Sequence, residues 1–349
     1  MLPDFLYLIG GLLVLLVCGD LLVRGATSLA ARYGLSPLLI ALTIVAFGTS
    51  APELLVSVRA ALAGAPGIAL GNVVGSNIAN ILLILGLPAL IYPIACAGRI
   101  VPHNMLIMMA ASVVLIVLCF IGPLGFWQGI FLLSLLTAYL VYSGWDARMN
   151  PHDPSPLADI EMPDDAFAQS ASLARKLPHG DLPPPLQSRR VIALKIVIGI
   201  AGLPLGARLV VDGGIDIAHA FGVSDAVIGL SLIAVGTSLP ELATSVMAVF
   251  RRNDEMVVGN IIGSNIMNIL AILGITALIA PLPVGPDFLS FHLWVMLGAA
   301  VLLLPMAMTG GKVGRMAGAV FLLGYGVYLY AMFALGHVAP VIENGLNGF

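Results

Sequence analysis

Long apolar runs separated by short polar stretches fill most of this chain. Runs of about 20 residues or more are what an α-helix needs to cross the hydrocarbon core of a bilayer. Ten such runs occur, at approximately 3–23, 37–63, 68–93, 103–121, 126–145, 191–211, 225–250, 256–281, 288–308 and 315–336. No stretch alternates apolar and polar positions over about ten residues, as a barrel strand would. The pattern predicts an all-α integral membrane protein with ten transmembrane helices. Composition agrees: of 349 residues, 60% are hydrophobic and 9% charged, against roughly 25% charged in soluble domains.

The opening run, "MLPDFLYLIGGLLVLLVCGD", has neither a positively charged start nor a small-residue cleavage site. It reads as a retained first span. Nearly all Lys and Arg follow odd-numbered spans: Arg24, Arg32, Arg99, Arg148, Arg175, Lys176, Arg189, Arg190, Lys195, Arg251, Arg252, Lys312 and Arg315. Only Arg59 and Arg208 follow even-numbered ones. The positive-inside rule then places the odd-side loops in the cytoplasm and both termini outside an inner, or cell, membrane. The loop 146–190 is rich in Pro, Asp and Ser and cannot bury a core, so a flexible cytoplasmic linker is expected there. Its acidic residues Asp159, Glu161, Asp164 and Asp165 lack the spacing of an EF-hand loop.

The two halves of the chain repeat. Residues 34–86 align with 222–274 without gaps, a shift of 188 residues, and about half the positions are identical. The matches include Glu, Pro, Asn, Thr and Ser, so shared hydrophobicity does not explain them. Residues 1–145 and 191–349 thus form two repeats of five spans each. Because five is odd, the second repeat enters the bilayer from the opposite face. Inverted-topology repeats of this kind mark transporters whose binding site lies near the midplane between the halves.

Within the repeats, "GTSAPE" (48–53) and "GTSLPE" (236–241) place Glu53 and Glu241 deep inside apolar spans. An intramembrane carboxylate costs about 3 kcal/mol and normally faces a cavity or a partner. Two of them about 5 Å apart repel by roughly 3 kcal/mol at an effective dielectric near 20. Cations or protons are needed to offset that. Pro52 and Pro240 each remove a backbone hydrogen bond, and the carbonyls of Ala46 and Ala234 are candidates to be left free. Thr49 and Ser50 lie four and three residues before Glu53, on the same helical face, and Thr237 and Ser238 repeat this before Glu241.

A second motif, "GNVVGSNIAN" (71–80), is echoed by "GNIIGSNIMN" (259–268). Ser76 and Asn80 share a helix face, as do Ser264 and Asn268. Gly71, Gly75, Gly259 and Gly263 form small-xxx-small pairs that let helices approach closely, which favours a packing role. Asn72, Asn77, Asn260 and Asn265 are candidates either to ligate an ion or to hydrogen-bond broken backbone. The combined donors are carboxylate, amide, hydroxyl and carbonyl oxygens, which suit calcium and the equally hard sodium ion. No His or Cys lies in the motifs, against zinc or copper. His103, His219, His292 and His337 read as loop or interfacial residues, and Cys18, Cys96 and Cys119 as packing residues.

These paired motifs resemble the alpha-repeats of the sodium/calcium exchanger (cation/calcium antiporter) superfamily, most of all its compact prokaryotic branch. The resemblance covers essentially the whole chain. It implies ion ligands at Thr49, Ser50, Glu53, Ser76 and Asn80 and at Thr237, Ser238, Glu241, Ser264 and Asn268, with backbone oxygens from Ala46 and Ala234. In prokaryotic relatives the position matching Asn268 is Asp, so the site here carries two formal negative charges rather than three. The implied activity is calcium exchange for sodium by alternating access, with a proton/calcium or potassium-dependent antiporter as the alternative. No cofactor is expected, and the partners are the lipid bilayer and the transported ions. A passive channel would need a pore ring or filter loop, and an intramembrane hydrolase an activated nucleophile; neither is evident, so the chain is not read as an enzyme.

Overall fold

A computed structural model describes residues 2–96, 100–149, 188–220 and 234–334. The expected linker falls mainly outside these residues, together with its acidic cluster, the start of the seventh span and the last fifteen positions. Described residues are almost entirely helical. The helices are α1 (Leu2–Tyr33), α2 (Pro37–Thr49), α3 (Ala51–Leu62), α4 (Pro66–Ile91), α5 (Ile100–Ile121) and α6 (Phe126–Met149). They continue with α7 (Arg189–Ala220), α8 (Ala234–Gly236), α9 (Leu239–Phe250), α10 (Asp254–Ile279), α11 (Phe288–Thr309) and α12 (Arg315–Ala334). Among the described residues, eight helices are long and apolar enough to cross a membrane, and α2 with α3, bent by 43° between them, add a ninth if the pair is counted as one span. The helix α9 is the described end of the expected seventh span. Helix α6 runs on to Met149, past the boundary at 145 read from the sequence, because "WDARM" contains neither Gly nor Pro.

The long helices α1 and α7 lie side by side, and α1 also packs on α9. Helix α10 is the most enclosed of the spans, buried among α2, α5 and α9. Its glycines explain how α2 comes so near. A methyl group at Gly263 would lie 2.7 Å from the Leu42 Cα and carbonyl oxygen and 2.8 Å from the Ala46 Cβ. One at Gly259 would lie 2.6 Å from the Ala41 Cβ. Gly71 and Gly75 have no such contact among the described residues, and of the positions that would face them by the 188-residue shift, 226, 229 and 230 lie outside those residues. Gly263→Ala is therefore expected to cost about 1–3 kcal/mol through overpacking. Gly298→Ala, on an exposed helix face with nothing within 4 Å, gains helix propensity instead. Thermal unfolding in detergent of the two variants should show opposite shifts.

Two short backbone pairings close the ends of the bundle. The strand β1 (Ile94–Ala95) pairs antiparallel with β2 (Lys312–Val313), and Leu124 pairs with Leu282. Helix α5 lies between Ile94 and Leu124 in sequence, and α11 between Leu282 and Lys312, so the pairings sit at opposite ends of both helices. Exchanging the halves by 188 residues turns the Ile94–Val313 pair into 282 with 125, one residue from the second pairing.

The end carrying β1 is tied more heavily. Arg251 pairs with Asp20 of α1, and the Arg252 guanidinium sits 3.7 Å over the Tyr92 ring. Asn253 Nδ2 donates to the Thr27 hydroxyl at 3.1 Å, and Asp254 accepts the Ala95 N–H at 2.9 Å. The matching turn of the first half, 63–66, reads Ala-Gly-Ala-Pro and has no side chain able to do this. Arg252 even adopts the left-handed φ of 55° that Gly64 takes at 77°, a conformation that disfavours any residue with a Cβ.

Candidate cation-binding site

Each "GTS-x-PE" motif interrupts its span at the serine. Ser50 (φ −81°, ψ 5°) ends α2, and Ser238 (φ −92°, ψ 6°) precedes α9. The helix restarts with Pro52 or Pro240 in its first turn, where the missing N–H is harmless. Glu53 and Glu241 thus occupy the first turn of new helices, and the positive end of the helix dipole favours a carboxylate there. This accounts for a Glu directly after Pro inside an apolar span.

The break changes which groups meet. Thr49 and Ser50 do not share a continuous helical face with Glu53. Their hydroxyls cross to the other half instead. Ser50 Oγ donates to Glu241 Oε1 at 3.1 Å, and Ser238 Oγ donates to Glu53 Oε1 at 3.1 Å. Thr49 Oγ1 donates to Asn260 Oδ1 at 3.3 Å, and Thr237 Oγ1 to Asn72 Oδ1 at 3.4 Å. Both carboxylates are enclosed, Glu53 at 1% and Glu241 at 0% exposure.

Asparagines hold this arrangement. Asn72 Nδ2 donates to the Glu53 carbonyl at 3.1 Å and to Ser57 Oγ at 3.0 Å. Asn260 Nδ2 repeats this with the Glu241 carbonyl at 3.4 Å and Ser245 Oγ at 3.3 Å. Of the two readings left open for Asn72 and Asn260, backbone support is the one their contacts match. Asn80 Nδ2 donates to Asn265 Oδ1 at 3.0 Å, and Asn268 Nδ2 to Asn77 Oδ1 at 3.2 Å and Ser76 Oγ at 3.0 Å. A π-helical turn begins at each of Asn80 and Asn268, a wider turn often found at functional positions. The turn at Asn80 packs on α9, which bears Glu241, and the turn at Asn268 packs on α3, which bears Glu53.

The Ala46 carbonyl is not free, contrary to the sequence expectation. It accepts the Ser50 N–H at 3.0 Å, because α2 stays helical up to Thr49, and the Thr49 hydroxyl, 3.3 Å from both this carbonyl and Asn260 Oδ1, has one proton to give to either. Near Ala234, the Ser238 N–H bonds the Val235 carbonyl at 3.0 Å. His292 is buried, with Nδ1 3.1 Å from the Tyr328 hydroxyl. All three cysteines are buried and unpaired.

Ser57, Ser245, Met108 and Met296 were missed by motif reading. Their signal was present: each pair is separated by the same 188 residues and is identical in type. The serines fall inside the aligned stretch, but the methionines fall beyond it.

Five buried oxygens of this cluster find no hydrogen-bond partner: Glu53 Oε2, Glu241 Oε2, Asn80 Oδ1, Asn268 Oδ1 and Ser264 Oγ. A buried polar atom left unmet costs about 1–3 kcal/mol, and none of these is an unmet N–H. The set is suited to a hard cation. Among the described residues, no three His, Cys, Asp or Glu side chains come together as a softer metal would require. Such a site, enclosed by helices that cross the bilayer, defines a multi-pass membrane cation transporter.

The model of the sodium/calcium exchanger protein family matches residues 4–145 and 191–334. The chain belongs to that family of antiporters. It is 36% identical to the inner membrane protein YrbG of Escherichia coli over 95% of this chain and 97% of that one. It is 33% identical to the sodium/calcium exchanger MaX1 of Methanosarcina acetivorans, over 95% and 98%. The solved structure of the sodium-calcium exchanger NCX_Mj, soaked with sodium and calcium, superposes with a TM-score of 0.74 at 32% identity, covering 95% and 98% of the two chains.

Proposed function

We propose that this protein exchanges calcium for sodium across a cell membrane by alternating access at the site bounded by Glu53 and Glu241. The observation that carries this reading is the cluster of unmet buried oxygens, contributed by both halves, beside two carboxylates bonded crosswise by Ser50 and Ser238. One calcium ion balances two carboxylates. Thr49, Ser50, Ser76, Asn80, Thr237, Ser238, Ser264 and Asn268 complete the ligand set, with backbone oxygens of Ala46 and Ala234. Ala46 would serve through its second lone pair, with the Thr49 proton given to Asn260.

The inverted arrangement of two five-span halves, residues 1–145 and 191–349 with a linker at 146–190, is supported by contacts that recur when the halves are exchanged. The backbone pairings at opposite ends of α5 and α11 support it as well. With the positive-inside bias, the end bearing β1 and Arg251 is cytoplasmic, and both termini are outside. Obligate exchange follows from electrostatics. Two bare buried carboxylates are costly, so the site must be reloaded before it turns. Two protons would neutralise the pair as well as one calcium, which keeps a proton/calcium exchanger as the second reading.

The test is calcium flux in proteoliposomes with sodium, potassium and proton gradients imposed separately. Sodium alone is expected to drive uptake. Uptake driven only by a pH gradient in sodium-free buffer would select the second reading, and calcium flux without any counter-ion would contradict both.

A further inference from the structure

We propose that Met108 and Met296 act as positioning residues that make the site amides of Asn80 and Asn268 present oxygen, not N–H, to the cation. This rests on the cation-site reading above and concerns the orientation of its neutral ligands. A carboxamide has nearly the same shape either way round, but only its oxygen is attracted to a cation. Something must therefore set its direction. A carboxylate at the same position would need no such control.

The contacts form a one-way chain. A thioether sulfur accepts hydrogen bonds and has no hydrogen to donate. The Met108 sulfur lies 3.4 Å from Asn265 Nδ2, so the Asn265 amide turns its NH2 group toward it. Asn265 Oδ1 then faces Asn80 and accepts its Nδ2 at 3.0 Å. That leaves Asn80 Oδ1 buried without a hydrogen-bond partner. The other half repeats the chain. Asn77 Nδ2 lies 3.7 Å from the Met296 sulfur, Asn77 Oδ1 accepts Asn268 Nδ2 at 3.2 Å, and Asn268 Oδ1 is left in the same condition.

Both methionines are buried, at 1% and 2% exposure, so water does not replace the sulfur as acceptor. The two chains differ in one respect. Asn268 has a second acceptor in Ser76 Oγ at 3.0 Å, whose own proton goes to the Val73 carbonyl at 3.1 Å. Ser264, the residue matching Ser76, accepts no such bond from Asn80. Asn80 therefore depends on Met108 more than Asn268 depends on Met296.

The experiment measures equilibrium calcium binding and half-saturating calcium for exchange in Met108→Leu, with and without Asn80→Asp. Leucine preserves the volume and removes only the acceptor. In the otherwise native chain, Met108→Leu should raise half-saturating calcium about threefold to tenfold, the range of one hydrogen bond, with little change in maximal rate. In the Asn80→Asp background it should produce no increase, because a carboxylate offers oxygen in both directions. The parallel cycle of Met296→Leu with Asn268→Asp should give a smaller effect of the same form. An equal increase in both backgrounds, or none in the native one, would overturn the proposal and reduce these methionines to packing. Failure of the native chain itself to bind calcium is a separate result, which would overturn the cation-site reading.

Discussion

Glu53→Gln and Glu241→Gln should each abolish gradient-driven calcium uptake while the protein still inserts in the membrane. Glutamine keeps the volume and can still accept the crossing hydroxyl of Ser238 or Ser50. What it removes is one of two charges facing the ion. A unit charge about 4 Å away contributes about 4 kcal/mol per unit of ion charge at an effective dielectric near 20. An uptake loss of about a hundredfold or more is therefore expected, since 1.4 kcal/mol is roughly a factor of ten. The measurement is radioactive calcium uptake into proteoliposomes at matched protein content. Substantial exchange in either variant would remove that Glu from the site. A loss confined to one variant would break the equivalence of the two halves.

The second large effect is expected from Asn268→Asp. Asn268 is fully buried, and its Oδ1 is one of the unmet oxygens. A carboxylate there raises the formal charge of the site from two to three. Calcium then leaves one negative charge unbalanced, so the bound-ion complement must change. The charge moved per cycle and the steepness of the sodium dependence should both differ from the native chain. Current recordings on membrane-adsorbed proteoliposomes, with sodium titrations of calcium uptake, read both. If charge movement and apparent affinities are unchanged, Asn268 is not a ligand.

Much of this was legible in the sequence because the bilayer restricts the alternatives. Apolar runs of spanning length can be little else than helices, and a gapless repeat containing Glu, Asn and Ser points to a site rather than to packing. The local geometry was less accessible. Spacing alone treated "GTSAPE" as one helix with a proline kink, which put Thr49 and Ser50 on the face of Glu53. In the structure the helix ends at Ser50 and restarts, so that the hydroxyls serve the opposite half. The same error made Ala46 look unbonded. Neither depends on residue type; both depend on where one backbone angle departs from helical values. Met108 and Met296 were hidden for a different reason. A methionine in a span is ordinary filling until an amide is seen against its sulfur.

A single cation held jointly by acids from the two halves of the chain is the feature on which exchange by this protein rests. Calcium titration of the purified protein, with Glu53→Gln and Glu241→Gln beside the native chain, tests this most directly. The native protein should bind one calcium ion, displaceable by sodium, and either substitution should abolish it. Two bound calcium ions, with each single substitution sparing one, would mean separate sites and contradict the shared pocket.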